Sequence, residues 1–228
     1  MRIAEIFFSI QGEGELTGVP SIFIRTSGCN LRCRWCDTPY ASWDPEGEDL
    51  PIAEIVNRIR AFQSEHCVLT GGEPMAAKGV HELASRIRED GKHITIETAG
   101  TIAPAGIQCD LASISPKLSN SVPESDNAWR KRHDSLRLQP SVIQEWIDNY
   151  NFQLKFVIAR RSDSEEIDSV VQRLNRKIPP SKILLMPEGR TIEEVRRRSA
   201  EIVELCKARG FRYCNRLHVD LFGNRRGT

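Results

Sequence analysis

The sequence predicts an α/β fold, specifically an incomplete TIM-like barrel of about six parallel strands. Three observations carry that expectation. Apolar runs of strand length recur along the 228 residues, helical patterns separate many of them, and the motifs rich in cysteine, glycine and charge each follow directly on a strand. Strands alternating with helices build parallel sheets with crossover helices. The 228 residues have room for about six such units rather than eight, in one domain spanning 1–228 with a full hydrophobic core.

The strands are expected at SIFIRT (21–26), HCVLT (66–70), HITIET (93–98), CDLASIS (109–115), FQLKFVIA (152–159), KILLMP (182–187) and RYCNRLHV (212–219). Each is a short run rich in apolar or β-branched residues. Between them, 51–63 places Ile52, Ile55, Val56 and Ile59 on one helical face, with Pro51 suited to the first turn. Residues 77–90 and 139–150 read as helices, and so does 164–176 behind Asp163 as its N-cap. A last helix opens on a capping box, Thr191 with Glu194, and stops at Gly210. The stretch 117–138 is polar and patternless, and reads as a variable, irregular connection.

Composition bounds the function classes. A hydrophobic share of 39% and a charged share of 28% describe a globular chain, and a net charge of +1 gives no argument for nucleic acid or an anionic membrane. No apolar run reaches the roughly 18 residues of a membrane span. The opening MRIAEIFFSIQGEGE carries Glu5 early and lacks a small-residue cleavage site, so it does not read as a signal peptide and the expected location is cytoplasmic.

Of the seven cysteines, Cys67, Cys109, Cys206 and Cys214 are scattered and read as small buried hydrophobes. The other three, Cys29, Cys33 and Cys36, form CxxxCxxC in SGCNLRCRWCDT, just after the first core strand. Clustered thiols in a reducing compartment point to metal or redox chemistry. Structural zinc sites take four ligands, usually as two separated pairs, and no matching pair is present. Asp37 and His66 are conceivable fourth ligands without motif spacing. Three thiolates on a 4Fe-4S cluster leave one iron open to an exogenous ligand. A second signature, TGGEP (70–74), follows the next strand; its glycines let backbone approach a ligand closely, and Glu73 can meet a ligand ammonium.

CxxxCxxC with Trp35 before its last cysteine, in register with the GGEP turn, resembles the radical S-adenosylmethionine superfamily. Within it, SIQGEG, CDT, ETAGT, SPK and the terminal LHVDLFGNRRGT resemble the 7-carboxy-7-deazaguanine synthase family along essentially the whole chain. The three-residue gap between the first two cysteines is the short form of a loop in which that family varies. The resemblance implies a carbon–nitrogen lyase that turns 6-carboxy-5,6,7,8-tetrahydropterin into 7-carboxy-7-deazaguanine with loss of ammonia, in the pathway to queuosine and related bases. It implies a 4Fe-4S cluster on Cys29, Cys33 and Cys36, S-adenosylmethionine, and magnesium (Mg2+) at the Thr38 hydroxyl. Chemistry would run through a 5′-deoxyadenosyl radical, with no side chain as acid or base. Further partners implied are an electron donor such as flavodoxin and a second copy in a homodimer.

Site residues are carried over by position. Ile10, Gln11, Gly12 and Glu13 would meet the flat, donor-rich heterocycle, and Arg25 would grip the substrate carboxylate as a bidentate fork. Thr98, His218 and the terminal Thr228 would complete the substrate site, with the C-terminus folded over it. Trp35, Cys36, Asp37, Gly72, Glu73, Gly100, Ser115, Pro116 and Lys117 would surround S-adenosylmethionine. An activating enzyme for a glycyl-radical protein, or a zinc module without catalysis, are the competing readings.

Overall fold

The computed structural model describes residues 1–124 and 127–228. Its strands are β1 (Arg2–Ile10), β2 (Pro20–Thr26), β3 (Glu48–Asp49), β4 (His66–Gly71), β5 (His93–Thr98), β6 (Leu111–Ile114), β7 (Phe152–Ile158), β8 (Ile183–Pro187) and β9 (Arg212–Tyr213). They form one sheet in the order β3-β1-β2-β4-β5-β6-β7-β8-β9. From β2 through β9 every pairing is parallel, while β1 pairs antiparallel with both β2 and β3. The order runs from one edge to the other without closing, so the barrel is incomplete, with β2, β4, β5, β6, β7 and β8, six of the seven expected strands, as its body.

The helices are α1 (Pro39–Ser42), α2 (Ile52–Arg60), α3 (Val80–Glu89), α4 (Asn127–Leu136), α5 (Pro140–Asn149), α6 (Asp163–Gln172), α7 (Ile192–Arg209) and α8 (Leu217–Phe222). Side chains alternate across a strand. Ile22, Ile24, Cys67, Leu69, Ile94, Ile96, Leu154, Phe156 and Leu185 take the parity that joins the main core, where Ile55, Ile59, Leu83, Ile87, Ile143 and Trp146 from the helices meet them. Each fully buried aliphatic side chain there contributes about 1.5–3 kcal/mol of transfer free energy. The opposite parity supplies Arg25, Thr70, Glu97, Ser113, Lys155, Val157 and Met186 to the barrel interior, where they line a cavity.

Several elements depart from expectation. RYCNRLHV is a strand only at Arg212–Tyr213; the chain then leaves the sheet to bury Arg216 and continues as α8. The N-terminal residues 2–10, not singled out as a strand, are the antiparallel β1. Asp163 is the first residue of α6 rather than its cap; its Oδ2 accepts from the Ala159 N–H at 2.9 Å and from Asn120 at 2.8 Å. That helix also ends at Gln172, four residues early. The connection 117–138, of which residues 125 and 126 lie outside the described ones, contains a short 3-10 turn at Ser119–Ser121 and the helix α4. No apolar stripe announces α4, because the side chain it buries completely is the polar His133. The capping box of α7 forms as expected, and the helix stops at Gly210. Among the described residues no helix is long and apolar enough to cross a membrane.

Candidate active site

The loops after β2, β4, β5 and β6 and the chain ends beyond β1 and β9 converge on one cavity of about 1340 Å³, part of it open to solvent. Cys29, Cys33 and Cys36 all line it, and Cys67, Cys109, Cys206 and Cys214 do not. All seven thiols are free of disulfides. The Leu31 N–H points at Cys29 Sγ at 3.4 Å, and Ser42 Oγ lies 3.1 Å from Cys36 Sγ. Burial pushes the Cys29 and Cys33 thiols up to about 12, so loading with a metal displaces protons from them. Among the described residues no three cysteine, histidine or carboxylate side chains form a preformed metal cage. The fit therefore rests on the donor set: three soft sulfurs on one wall, with no fourth cysteine facing them.

The TGGEP turn lies against this loop. A Cβ on Gly72 would stand 2.3 Å from the Gly28 carbonyl oxygen and 2.4 Å from that of Ala41, so only glycine allows the approach. Gly72 lines the cavity but Glu73 does not. The Glu73 carboxylate is buried and accepts from the Thr98 hydroxyl at 2.9 Å, the Ala99 N–H at 2.8 Å and the Met75 N–H at 3.1 Å. It thereby ties the end of β4 to the end of β5. Gly100 and Pro116 also stand behind the wall. Ser115 and Lys117 line it; the lysine Nζ donates to Ser115 Oγ at 2.8 Å and sits 5.6 Å from the centre of the Trp35 ring.

All eight residues expected at the substrate line the same cavity: Ile10, Gln11, Gly12, Glu13, Arg25, Thr98, His218 and Thr228. Trp35, Asp37 and Thr38 join them. Gly12 faces the α8 histidine so closely that a Cβ there would lie 2.0 Å from His218 Nδ1. Arg25 donates its Nε to Glu5 Oε1 at 2.6 Å, and its terminal nitrogens make no hydrogen bond to the described residues. Gln11 is held on both sides: Nε2 donates to Glu97 Oε1 at 3.1 Å and Oε1 accepts from the Glu13 N–H at 3.0 Å.

Four charged side chains form a chain through the site, buried except at Asp37, which is partly exposed. Glu13 accepts from Lys155 Nζ and, at 3.1 Å, from Arg216 Nε; Arg216 also donates to Asp37 Oδ2 and to the Gly189 carbonyl. Two anions and two cations cancel, so the unit carries no net charge into the interior. Burial works to raise the Glu13 carboxyl, but Lys155, Arg216 and His218 together hold it well below the usual carboxylate range. Burial likewise opposes charging of Lys155 and Arg216, and their carboxylates outweigh it, so both are raised and remain cations.

Glu5, Tyr40, Glu97, Lys155 and Arg216 were not named as site residues from the sequence, and Thr70 only as part of the TGGEP turn. Glu97 and Lys155 did leave a signal: each is a charge inside a strand whose opposite parity is apolar, at the parity that faces the barrel interior. Tyr40 and Arg216 left none.

The Radical SAM superfamily model matches residues 23–114, from β2 to the end of β6. The 7-carboxy-7-deazaguanine synthase of Rhodopirellula baltica is 45% identical over all of this chain and 89% of its own length. That of Halobacterium salinarum is 40% identical over 98% of this chain and 91% of its own. The crystal structure of QueE from Escherichia coli superposes with a TM-score of 0.68, covering 93% of this chain and 92% of that one at 24% identity, which carries the fold. The chain belongs to the 7-carboxy-7-deazaguanine synthase family of the radical SAM superfamily.

Proposed function

We propose that this chain is the lyase that converts 6-carboxy-5,6,7,8-tetrahydropterin into 7-carboxy-7-deazaguanine and ammonia, within the synthesis of queuosine-type 7-deazapurines. The observation that carries the site reading is that one cavity brings Cys29, Cys33 and Cys36 together with Arg25, a half-buried guanidinium whose terminal nitrogens have no partner among the described residues. Kinship over the whole chain separates this reading from a glycyl-radical activase and from a zinc module.

Cys29, Cys33 and Cys36 would hold a 4Fe-4S cluster beside the S-adenosylmethionine site. Together, once reduced, these groups would supply radical hydrogen-abstraction chemistry to the bound pterin. Every other task falls to the chain. Arg25 offers its free nitrogens to the substrate carboxylate as a charge-assisted pair, the strong kind of hydrogen bond. Glu97 lines the cavity and, among the described residues, accepts only from neutral donors, Gln11 and the Thr70 hydroxyl at 2.9 Å. Its remaining lone pairs suit the donor-rich guanidine edge of the pterin. Glu13, Gln11, Gly12, Ile10, Thr98 and His218 shape the slot, with Phe7 and Phe23 stacked at 5.0 Å as one flat wall. Trp35, Ser115 and Lys117 hold S-adenosylmethionine beside Gly72 and the Asp37 backbone. Thr38 supplies a hydroxyl oxygen to a magnesium ion, a cation that takes few protein ligands and shares substrate oxygens. A flavodoxin-type donor, a homodimer and a cytoplasmic location complete the reading.

The test is an anaerobic assay of cluster-loaded protein with dithionite, S-adenosylmethionine, magnesium and the carboxytetrahydropterin. A deazapurine product and ammonia in equal amounts are expected. Absence of the deazapurine from protein that holds its iron would end this reading.

A further inference from the structure

Three consecutive residues at the end of α1 each fasten one part of the cysteine loop. The Ala41 carbonyl accepts from the Gly28 N–H at 2.9 Å, next to Cys29. Trp43 Nε1 donates to the Cys33 carbonyl at 3.0 Å. Between them, Ser42 Oγ stands 3.1 Å from Cys36 Sγ. The first two contacts hold backbone, and only the third reaches a sulfur. Ser42 is buried, so water competes little for its hydroxyl.

A buried hydroxyl needs a partner, and a serine in a helix often gives its proton to the carbonyl four residues back. That carbonyl belongs to Thr38 and lies 3.4 Å from Ser42 Oγ. The sulfur is nearer although it is the larger atom, so it is the better-placed partner. While Cys36 is a thiol, either group can be the donor. A cysteine that binds a metal has lost its proton, and the hydroxyl must then donate. The thiolate thereby gains a charge-assisted hydrogen bond. The other two sulfurs lack such a side-chain donor among the described residues: the Leu31 N–H points at Cys29 Sγ at 3.4 Å, and nothing donates to Cys33 Sγ. The Thr38 hydroxyl is farther from Cys36 Sγ, at 3.8 Å.

We propose that Ser42 is a positioning residue for the redox centre: its hydroxyl donates to the Cys36 thiolate and raises the reduction potential at the three cysteines. The inference rests on the reading that these cysteines hold a 4Fe-4S cluster. Reduction adds one electron, and with it one negative charge, to that centre. A donor aimed at a ligand sulfur stabilises the added charge, since hydrogen bonds to the sulfurs are among the factors that set such potentials. The serine keeps its own proton throughout and acts only through Cys36.

The experiment uses anaerobic, cluster-loaded protein without S-adenosylmethionine or substrate, poised with redox mediators and read by electron paramagnetic resonance. At the native midpoint, Ser42→Ala should lower the ratio of reduced to oxidised centre by about tenfold, equivalent to about 59 mV for one electron. Ser42→Gly removes the same hydroxyl and should give the same shift, which secures the result if the alanine variant fails to fold. Ser42→Thr keeps a hydroxyl and should restore most of the ratio. Trp43→Phe loosens the same loop at the Cys33 carbonyl without touching a sulfur, and should leave the ratio unchanged. An unaltered ratio in iron-loaded Ser42→Ala or Ser42→Gly overturns the proposal. So does an equal shift in Trp43→Phe, which would reduce Ser42 to a packing role. Native protein that binds no iron would end the reading of the cysteines and this inference with it. A missing deazapurine alongside an intact Ser42 shift would count against the substrate alone.

Discussion

Glu5 Oε1 accepts from Arg25 Nε at 2.6 Å and, at the same distance, from the Tyr40 hydroxyl. Its other oxygen accepts from the Gly227 N–H at 3.2 Å, and Arg226 lies 3.6 Å over the Tyr40 ring. One carboxylate therefore orients the guanidinium proposed to grip substrate and latches the tail that lies over the cavity. Glu5→Gln keeps the shape and removes the charge. The expected result is a rise in KM of roughly 5- to 30-fold, about 1–2 kcal/mol for weakening charge-assisted hydrogen bonds, with a smaller effect on kcat. Steady-state kinetics checks it, and trypsin should cut faster at Arg225 and Arg226. Unchanged KM would remove Glu5 from the site.

Lys155 is a buried cation on β7, and Glu13 is its partner. Breaking a buried pair leaves an unpaired charge and costs about 3–5 kcal/mol. Lys155→Met should destabilise the fold by that amount in denaturant melts. The double variant with Glu13→Gln should lose less than the sum of the two single changes, because the stranded charge is then gone. Strict additivity would show that the two do not act as a unit.

His133 supplies a pH dependence with a defined sign. Its Nδ1 accepts the Arg32 N–H, so its proton is on Nε2, which points at Ser121 Oγ 2.9 Å away. Ser121 in turn gives its own proton to the Leu118 carbonyl at 2.6 Å. Burial, with Arg137 and Lys117 nearby and only partly offset by Asp134, lowers the imidazole from 6.5 to about 4. Above the unfolded pKa both states are neutral. As pH falls below it, the unfolded chain takes up a proton that the native one refuses until about 4. Stability should therefore decline between those two values, by about 2 kcal/mol after allowing for solvent access. His133→Gln should flatten that part of a urea-stability profile against pH; an identical slope would discount the assignment.

Gly12 admits His218 where no other residue would. Gly12→Ala should push α8 outward and cost about 1–3 kcal/mol of stability through overpacking, with a larger loss of kcat/KM. Replacing His218 by alanine in the same chain should restore much of the stability but not the activity. Thermal melts and single-turnover assays separate the two outcomes.

Local pattern determined a good deal by itself. Alternating apolar runs and amphipathic stretches specify the parallel strands and most of the helices, since burying one face is a property of a few consecutive residues. The spacing of Cys29, Cys33 and Cys36 needs nothing beyond a single loop. Elements held by polar contacts were illegible for the same reason. The helix α4 buries a hydrogen-bonded histidine instead of a stripe, and 212–219 looked like a strand until Arg216 had somewhere else to go. The hydrogen bonds by which Glu73 joins two strand ends left no local pattern either.

The tertiary structure alone decided the charge network. Glu13 meets Arg216 across 203 residues, Arg216 meets Asp37 across 179, and Lys155 meets Glu13 across 142. Such pairs form only once the sheet has brought the two ends of the chain to one cavity. No local periodicity encodes which charge will face which, because that depends on where distant elements come to rest in a medium too apolar to leave either charge alone.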